Sequence, residues 1–284
     1  MRLKYVFALL LTIAASQVNA QLHYGFKTGL NFARFDGPSE TDNSGKSLET
    51  WKSVTGFHIG AAFSYHFTDN FGLRGELLYS KRGAKYTYDG QSYRVFKLPN
   101  STTTTTGTAR HLVSINNAYL DLPIMAYARA GDFEISGGAY VGLLLQSVGD
   151  GSLNYRDASN NDLQFNLLHN YRKDKAGGSE GDGQKIIAVA DGRQLELPKT
   201  IGAYYDYPED RGNLYNTLDY GLMGGLSYYF STSLYFGARL QYGLADITNN
   251  RTDLARASTD GANLRYRDDK DRNFVIQFSV GFGF

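Results

Sequence analysis

Six charged residues stand at alternate positions of otherwise apolar segments: Lys27, Arg74 and Arg239 against Glu76, Asp121 and Glu134. Three of each sign, at comparable heights along their segments, can do one thing well. Withdrawn from water they must pair, so they predict a salt-bridged and hydrogen-bonded polar network, with Tyr119, Tyr140, Gln241 and Gln277 completing it. Such a network can either line a gated polar pathway or lock an interior shut. Catalytic chemistry is harder to assemble. His58 and Ser64 share a face, but six residues along an extended chain place them roughly 20 Å apart, too far to exchange a proton. His66 falls beside a turn, and His111 and His169 fall in loops without a partner carboxylate; no HxxxH or HExxH spacing occurs. Asp268, Asp269 and Asp271 look like an oxygen-ligand cation loop, yet Lys270 and Arg272 neutralise them. With no cysteine, thiolate metal sites and disulfides are excluded. The expectation is therefore no catalytic residue, no metal and no cofactor.

The elements that must position the charges are strands. From Asn273 to Phe284, Phe274, Ile276, Phe278, Val280, Phe282 and Phe284 share one face, and Asn273, Gln277, Ser279, Gly281 and Gly283 the other. The same alternation recurs from Leu22 to Phe32, Phe57 to Phe67, Phe71 to Ser80, Asn117 to Ala128, Phe133 to Leu145, Leu218 to Phe230 and Leu234 to Leu244. Pro123 weakens the fourth of these unless a bulge accommodates it. Each is long enough for the roughly 9 to 11 residues that a tilted membrane strand needs.

An unbroken apolar face opposite a face of glycine, serine and a few charges is the reverse of a water-soluble design. Eight inward rows of Phe, Leu and Tyr would overfill a small soluble barrel, whereas small residues and a few long polar side chains fit. The connections alternate too. Thr68-Asp69-Asn70, Ala130-Gly131-Asp132 and Ser231-Thr232-Ser233 are tight turns, while 35–52, 87–112, 146–217 and 248–272 are long and polar. Tyr24, Tyr65, Phe67, Phe71, Tyr127, Phe133, Tyr228, Phe230, Phe282 and Phe284 cluster near the short-turn ends, as an interfacial girdle does. The pattern predicts an all-β fold: an eight-stranded antiparallel up-and-down transmembrane β-barrel, its first and last strands paired, with long extracellular loops and periplasmic termini. An interior of that size holds side chains and little else, which favours the shut interior over the pathway. Within the loops, Asp89-Gly90 and Asp191-Gly192 are hairpin signals, and Thr102 to Thr106 and Asp174 to Gln184 read as mobile segments.

Arg2 and Lys4, the apolar run Val6 to Ala15 and Val18-Asn19-Ala20 read as a signal peptide over residues 1–20, leaving one barrel domain over 21–284. The signal carries two of the 29 basic residues and none of the 28 acidic ones, so the remainder has 27 − 28 = −1. A near-neutral chain gives no reason to expect nucleic acid.

GFKTGLNFARF after the signal, YLDLPIMAY from Tyr119 to Tyr127, DYGLMGGLSYYF from Asp219 to Phe230 and LQYGLADI from Leu240 to Ile247 resemble the PorT-like outer-membrane β-barrel family. The resemblance implies the bacterial outer membrane, contact with its lipids and lipopolysaccharide, and the barrel-assembly machinery as a partner during insertion, with Phe284 as the terminal signal it reads. It also raises a role in outer-membrane protein secretion of the type IX kind. The combined reading is a non-enzymatic barrel with a closed polar interior and a structural or interaction role through its loops. A narrow pore or secretion component is the alternative, and a lipid A-modifying enzyme a more distant one.

Overall fold

A computed structural model describes residues 22–97, 102–157, 159, 161–178, 183–259 and 264–283. The expected signal peptide over residues 1–20 and Phe284 lie outside the described residues. Thirteen strands are present among those described: β1 (Leu22–Asp36), β2 (Glu49–Lys52), β3 (Val54–Thr68), β4 (Phe71–Lys97), β5 (Thr102–Ala130), β6 (Phe133–Asp157), β7 (Asp162–Asn170), β8 (Lys185–Ala190), β9 (Arg193–Pro198), β10 (Thr200–Ile201), β11 (Leu218–Tyr229), β12 (Leu234–Gly243) and β13 (Arg272–Gly283).

This corrects the expected eight-stranded, purely antiparallel barrel with loops. The main sheet has eleven strands, and β8 and β9 form a separate two-stranded sheet. β10 pairs with β7 in parallel. Pairing runs from β1 through β3, β4, β5, β6, β11, β12 and β13 and returns from β13 to β1, but β2 branches from β4 and β7 with β10 from β6, so the assembly is not a simple cylinder. Residues 87–97, 102–112 and 146–157 are strand rather than loop, because β4, β5 and β6 continue well beyond the apolar band.

The tight turns and the longest alternations follow from residue type. β4 and β5 pair from Phe71↔Ala128 out to Lys97↔Thr102, so Asp89-Gly90 lies inside a continuous strand and Thr102 to Thr106 are in the ladder, not mobile. Asp191 and Gly192 do make a turn: both have positive φ (50° and 73°), the conformation a two-residue hairpin loop requires, and β8 and β9 flank it. Pro123 needs no hydrogen-bond donor toward β4, where the register is interrupted between Gly75↔Ile124 and Leu78↔Asp121.

Side-chain direction divides the molecule in two. Along β1, β3, the first part of β4, the end of β5, the start of β6, β11, β12 and β13, large apolar residues such as Leu30, Phe63, Leu77, Ile124, Ile135, Leu222, Leu240 and Phe278 face outward and exposed. Beyond that band the arrangement reverses. Phe35, Tyr86, Tyr88, Val113, Ile115, Leu153, Tyr155, Phe165, Tyr171 and Tyr215 are buried in a core inside the extended strands. Tyr127, grouped by sequence with the interfacial girdle, is buried and faces inward beneath Arg74.

Candidate functional site

The six charges read from the sequence all point inward and are buried, and they fall into three layers rather than one. Nearest the short turns, Arg74 of β4 donates two hydrogen bonds to Glu134 of β6, at 2.6 and 2.9 Å. Tyr229 Oη donates to the same carboxylate at 3.0 Å, and Arg129 approaches it at 3.7 Å while stacking over the Tyr229 ring at 3.6 Å. In the middle layer Arg239 of β12 grips Glu76 of β4 in a fork of 2.7 and 2.8 Å, and Lys27 of β1 reaches the same carboxylate at 3.4 Å. The planar guanidinium matches both carboxylate oxygens, which is why it takes the two-pronged position and lysine the single one.

Asp121 joins neither group. It faces Arg82, whose guanidinium bridges Asp121 at 3.3 Å and Asp219 at 2.9 Å and lies 3.8 Å over the Tyr119 ring. Tyr140 Oη and Asn273 Nδ2 each donate to Asp219 at 3.0 Å. Neither Arg82 nor Asp219 is among the six charges of the sequence pattern, although Asp219 stands at an inward position of the segment from Leu218 to Phe230. Arg82 continues the inward register of Glu76 and Ser80 past the point where the strand was taken to end, so following the alternation two residues further finds it.

Between these layers lies a hydrogen-bonded chain of different composition. His58 Nε2 meets Ser279 Oγ at 2.9 Å and His58 Nδ1 meets Asn31 Oδ1 at 2.7 Å, all three buried. The register explains the meeting, since His58 and Ser279 are the two neighbours of Gly29 across the ladder. A Cβ on Gly29 would lie 1.9 Å from the Phe278 carbonyl oxygen, so the missing side chain is what lets the two strands carry these groups toward one another. The trio has the residue types of a nucleophile, base and orienter, but Asn31 Nδ2 is tied to Phe57 O, Lys81 O and Ser80 Oγ. Ser279 borders a cavity of about 10 Å³ shared with Lys27, Arg74 and Arg239, a space that holds about one water molecule.

Above the last layer is a second polar assembly, inside the apolar core of the extension. A cavity of about 60 Å³ is walled by Tyr86, Tyr171, Tyr207 and Tyr215 and faced by His111, His169, Arg256 and Arg267. Arg267 ties together Glu49 at 3.0 Å, Asp269 at 2.6 Å and Asp253 at 3.7 Å. Asp253, Asp269 and Asp271 converge closely enough to share a cation, but Asp253 and Asp269 are already paired with the Arg267 guanidinium. Asp268 is apart from them, exposed and bonded to Asn250. Burial pushes the Asp253 carboxyl up to about 7 despite Arg267, and Asp271 to about 6. Burial, reinforced by Arg256, holds His111 far below the usual imidazole range and lowers His169 to about 3. Both rings are therefore neutral, each presenting one N–H and one lone pair.

The sequence from residue 15 to 249 matches the family described as outer membrane protein beta-barrel domain. The chain belongs to that family. It is accordingly an outer-membrane β-barrel protein of the Gram-negative cell envelope. No curated protein matches it. Among solved structures it is similar to neisserial surface protein A, at 11% identity over 92% of this chain and 97% of that one, with a TM-score of 0.36. Ail, the attachment invasion locus protein of Yersinia pestis, matches at 10% identity over 93% and 99%, with a TM-score of 0.35, in a complex with the heparin analogue sucrose octasulfate. OprG from Pseudomonas aeruginosa matches at 14% identity over 93% and 96%, with a TM-score of 0.33.

Proposed function

We propose that this outer-membrane protein is closed to solute flow and acts as a structural or interaction protein through the strand-built body it carries outside the cell. The observation that carries the reading is the stack of buried ion pairs spanning the interior: Arg74 with Glu134, Arg239 and Lys27 with Glu76, and Arg82 with Asp121 and Asp219. Each crosses between strands that are not neighbours in the ladder or lies under aromatic rings, so opening a passage would leave charges unpaired in a low-dielectric interior. A second support is the size of the extension, whose continuous strands and apolar core give a rigid platform instead of a set of loose loops.

In this reading the exposed apolar band is solvated by lipid tails and the termini lie in the periplasm, placing the extension beyond the lipopolysaccharide leaflet. The barrel-assembly machinery acts on the chain during insertion, with Phe284 as the terminal element it reads. A single experiment tests the closed interior: conductance of the purified protein in a planar bilayer. The expected trace is flat, and Glu76→Gln, which loosens the middle layer, introduces brief openings. Stable channels from the unmodified chain would overturn the reading in favour of a pore or secretion component. Affinity capture from intact outer membranes, with and without residues 150–212, tests whether the extension recruits a partner.

A further inference from the structure

Two side chains facing one space in the extension have, among the described residues, no ion pair or side-chain hydrogen bond. Among the described residues His111, buried between β5 and its neighbours, forms no hydrogen bond from either ring nitrogen. The Arg256 guanidinium has no carboxylate within ion-pair distance among them either, although every other inward arginine of the interior has one. Its nearest aromatic neighbour is Tyr86, with the ring centre 6.0 Å away. Both residues face the same space: they line the cavity of about 60 Å³ and a smaller one of about 20 Å³ on its other side. A buried imidazole without a hydrogen bond, facing a half-buried guanidinium without a carboxylate, is costly unless something fills the space between them.

We propose that this chamber is a binding site for a small oxyanion, held by the Arg256 guanidinium and the His111 imidazole. His169 adds a further donor. Its Nδ1 is engaged with Tyr171 Oη at 3.0 Å, which fixes the ring and leaves Nε2 for the chamber, and its ring centre lies 6.4 Å from that of His111. The sign of the ligand follows from the charges present. Of the acidic side chains in the wall, Glu49 and Asp253 are held by Arg267, and Asp271 accepts from Thr248 Oγ1 at 3.1 Å. Asp206, the carboxylate in the wall of the smaller cavity, is paired with Arg94 at 2.7 Å, so a metal ion beside Arg256 would face a guanidinium without an ion-paired anion of its own, whereas an oxyanion supplies one. Asp253, protonated up to about pH 7, contributes an O–H donor there and not a second negative charge. The size of the ligand follows from the volume: about 60 Å³ admits phosphate, sulfate or a short carboxylate and excludes a sugar chain. Tyr86, Tyr171, Tyr207 and Tyr215 keep the space low in dielectric, so that each charge-assisted hydrogen bond counts for more than it would in water.

The test is isothermal titration of the full chain, folded in detergent micelles, with inorganic phosphate, and in parallel with sulfate, acetate and phosphate-bearing lipid A. Saturable binding of one of the free oxyanions is expected. Arg256→Gln should weaken it by about tenfold or more, the loss of one charge-assisted interaction, while Arg256→Lys keeps part of it. His111→Asn should weaken binding several-fold without changing the electrophoretic mobility that marks a folded barrel. Should Arg256→Gln fail to fold, the decision passes to the unmodified chain, whose thermal midpoint must rise with phosphate, and to His111→Asn, where that rise must shrink. No saturable binding by the unmodified chain, binding of lipid A alone, or equal binding by Arg256→Gln would overturn the proposal. The titration does not read conductance, so its failure leaves the closed-interior reading untouched, and stable channels would leave the oxyanion site untouched.

Discussion

The same strands pass through two regions with opposite rules. In the lower region Phe, Leu and Ile face outward and the interior is built from ion pairs; in the extension Phe165, Ile115 and Tyr155 face inward and the outer face is polar. β4, β5 and β6 each belong to both, so nothing in backbone geometry marks the boundary. What changes is the medium outside. Where lipid surrounds the strands, apolar side chains gain nothing from turning inward, and the interior is left to groups that satisfy one another. Where water surrounds them, the ordinary drive to remove apolar surface returns and an aromatic core forms. Alternation identifies strands, while the sign of the alternation reports the solvent.

The largest effect is expected from removing an ion of the lower interior. Glu76→Ala strands Arg239 and Lys27 as buried like charges and should cost about 3–5 kcal/mol, read as a lower urea midpoint for loss of the folded electrophoretic form. Phe165→Ala, at the fully buried centre of the upper core, should cost a similar amount, about 3–5 kcal/mol. Its effect should stay local, with faster hydrogen exchange and proteolysis above the apolar band and no change below it. An extension that unfolds only together with the membrane region would show that the two are one cooperative unit. Ile135→Arg, on the outward face of β6, should cost about 2–4 kcal/mol if that face meets the middle of the bilayer, and close to nothing if it meets water.

The smallest effect concerns protons. Burial raises the Asp253 carboxyl from 3.8 to about 7, so in the folded state it holds a proton that the unfolded chain has released. Its contribution is complete below about pH 4 and is lost as pH rises toward 7. Stability of the extension should therefore decline across that window. Asp253→Asn should flatten the decline and stabilise the extension at neutral pH, as measured by thermal unfolding at several pH values; an unchanged slope would assign the dependence to Asp271 or another group.

Much of the lower region was readable because one physical rule governed it. Lys27, Arg74, Glu76, Asp121, Glu134 and Arg239 stand at inward positions of segments whose outward positions are uniformly apolar, so register alone placed them. Which carboxylate meets which cation was not readable. The ladder sets Arg82 opposite Asn117 and Asp121 opposite Leu78, so Asp121 is met by a long guanidinium arm reaching back along the strands, and neither that register nor that reach is carried by a single strand. The extension was read as loop for a related reason. Past Ser80 the inward residues become Ala84, Tyr86 and Tyr88 and the outward ones Lys81 and Lys85, so a search for outward apolar residues stops there although the period of two continues. His111 and Arg256 were invisible as a pair, since they are brought together only by the packing of a segment between β12 and β13 into the core above β5.

The pairing of β1 with β13 joins Gly25 to Gly283, 283 − 25 = 258 residues apart, whereas β4 and β5 begin at Lys97 and Thr102, 102 − 97 = 5 apart. Bringing together ends so distant costs roughly 3 kcal/mol more chain entropy than a short hairpin. The ladder between β4 and β5 can form early and serve as a ruler for its neighbours, while the seam waits for both ends of the chain. The protein is thus slow at one place in particular, and an agent that holds β1 and β13 side by side would speed its assembly more than one acting anywhere else along the sheet.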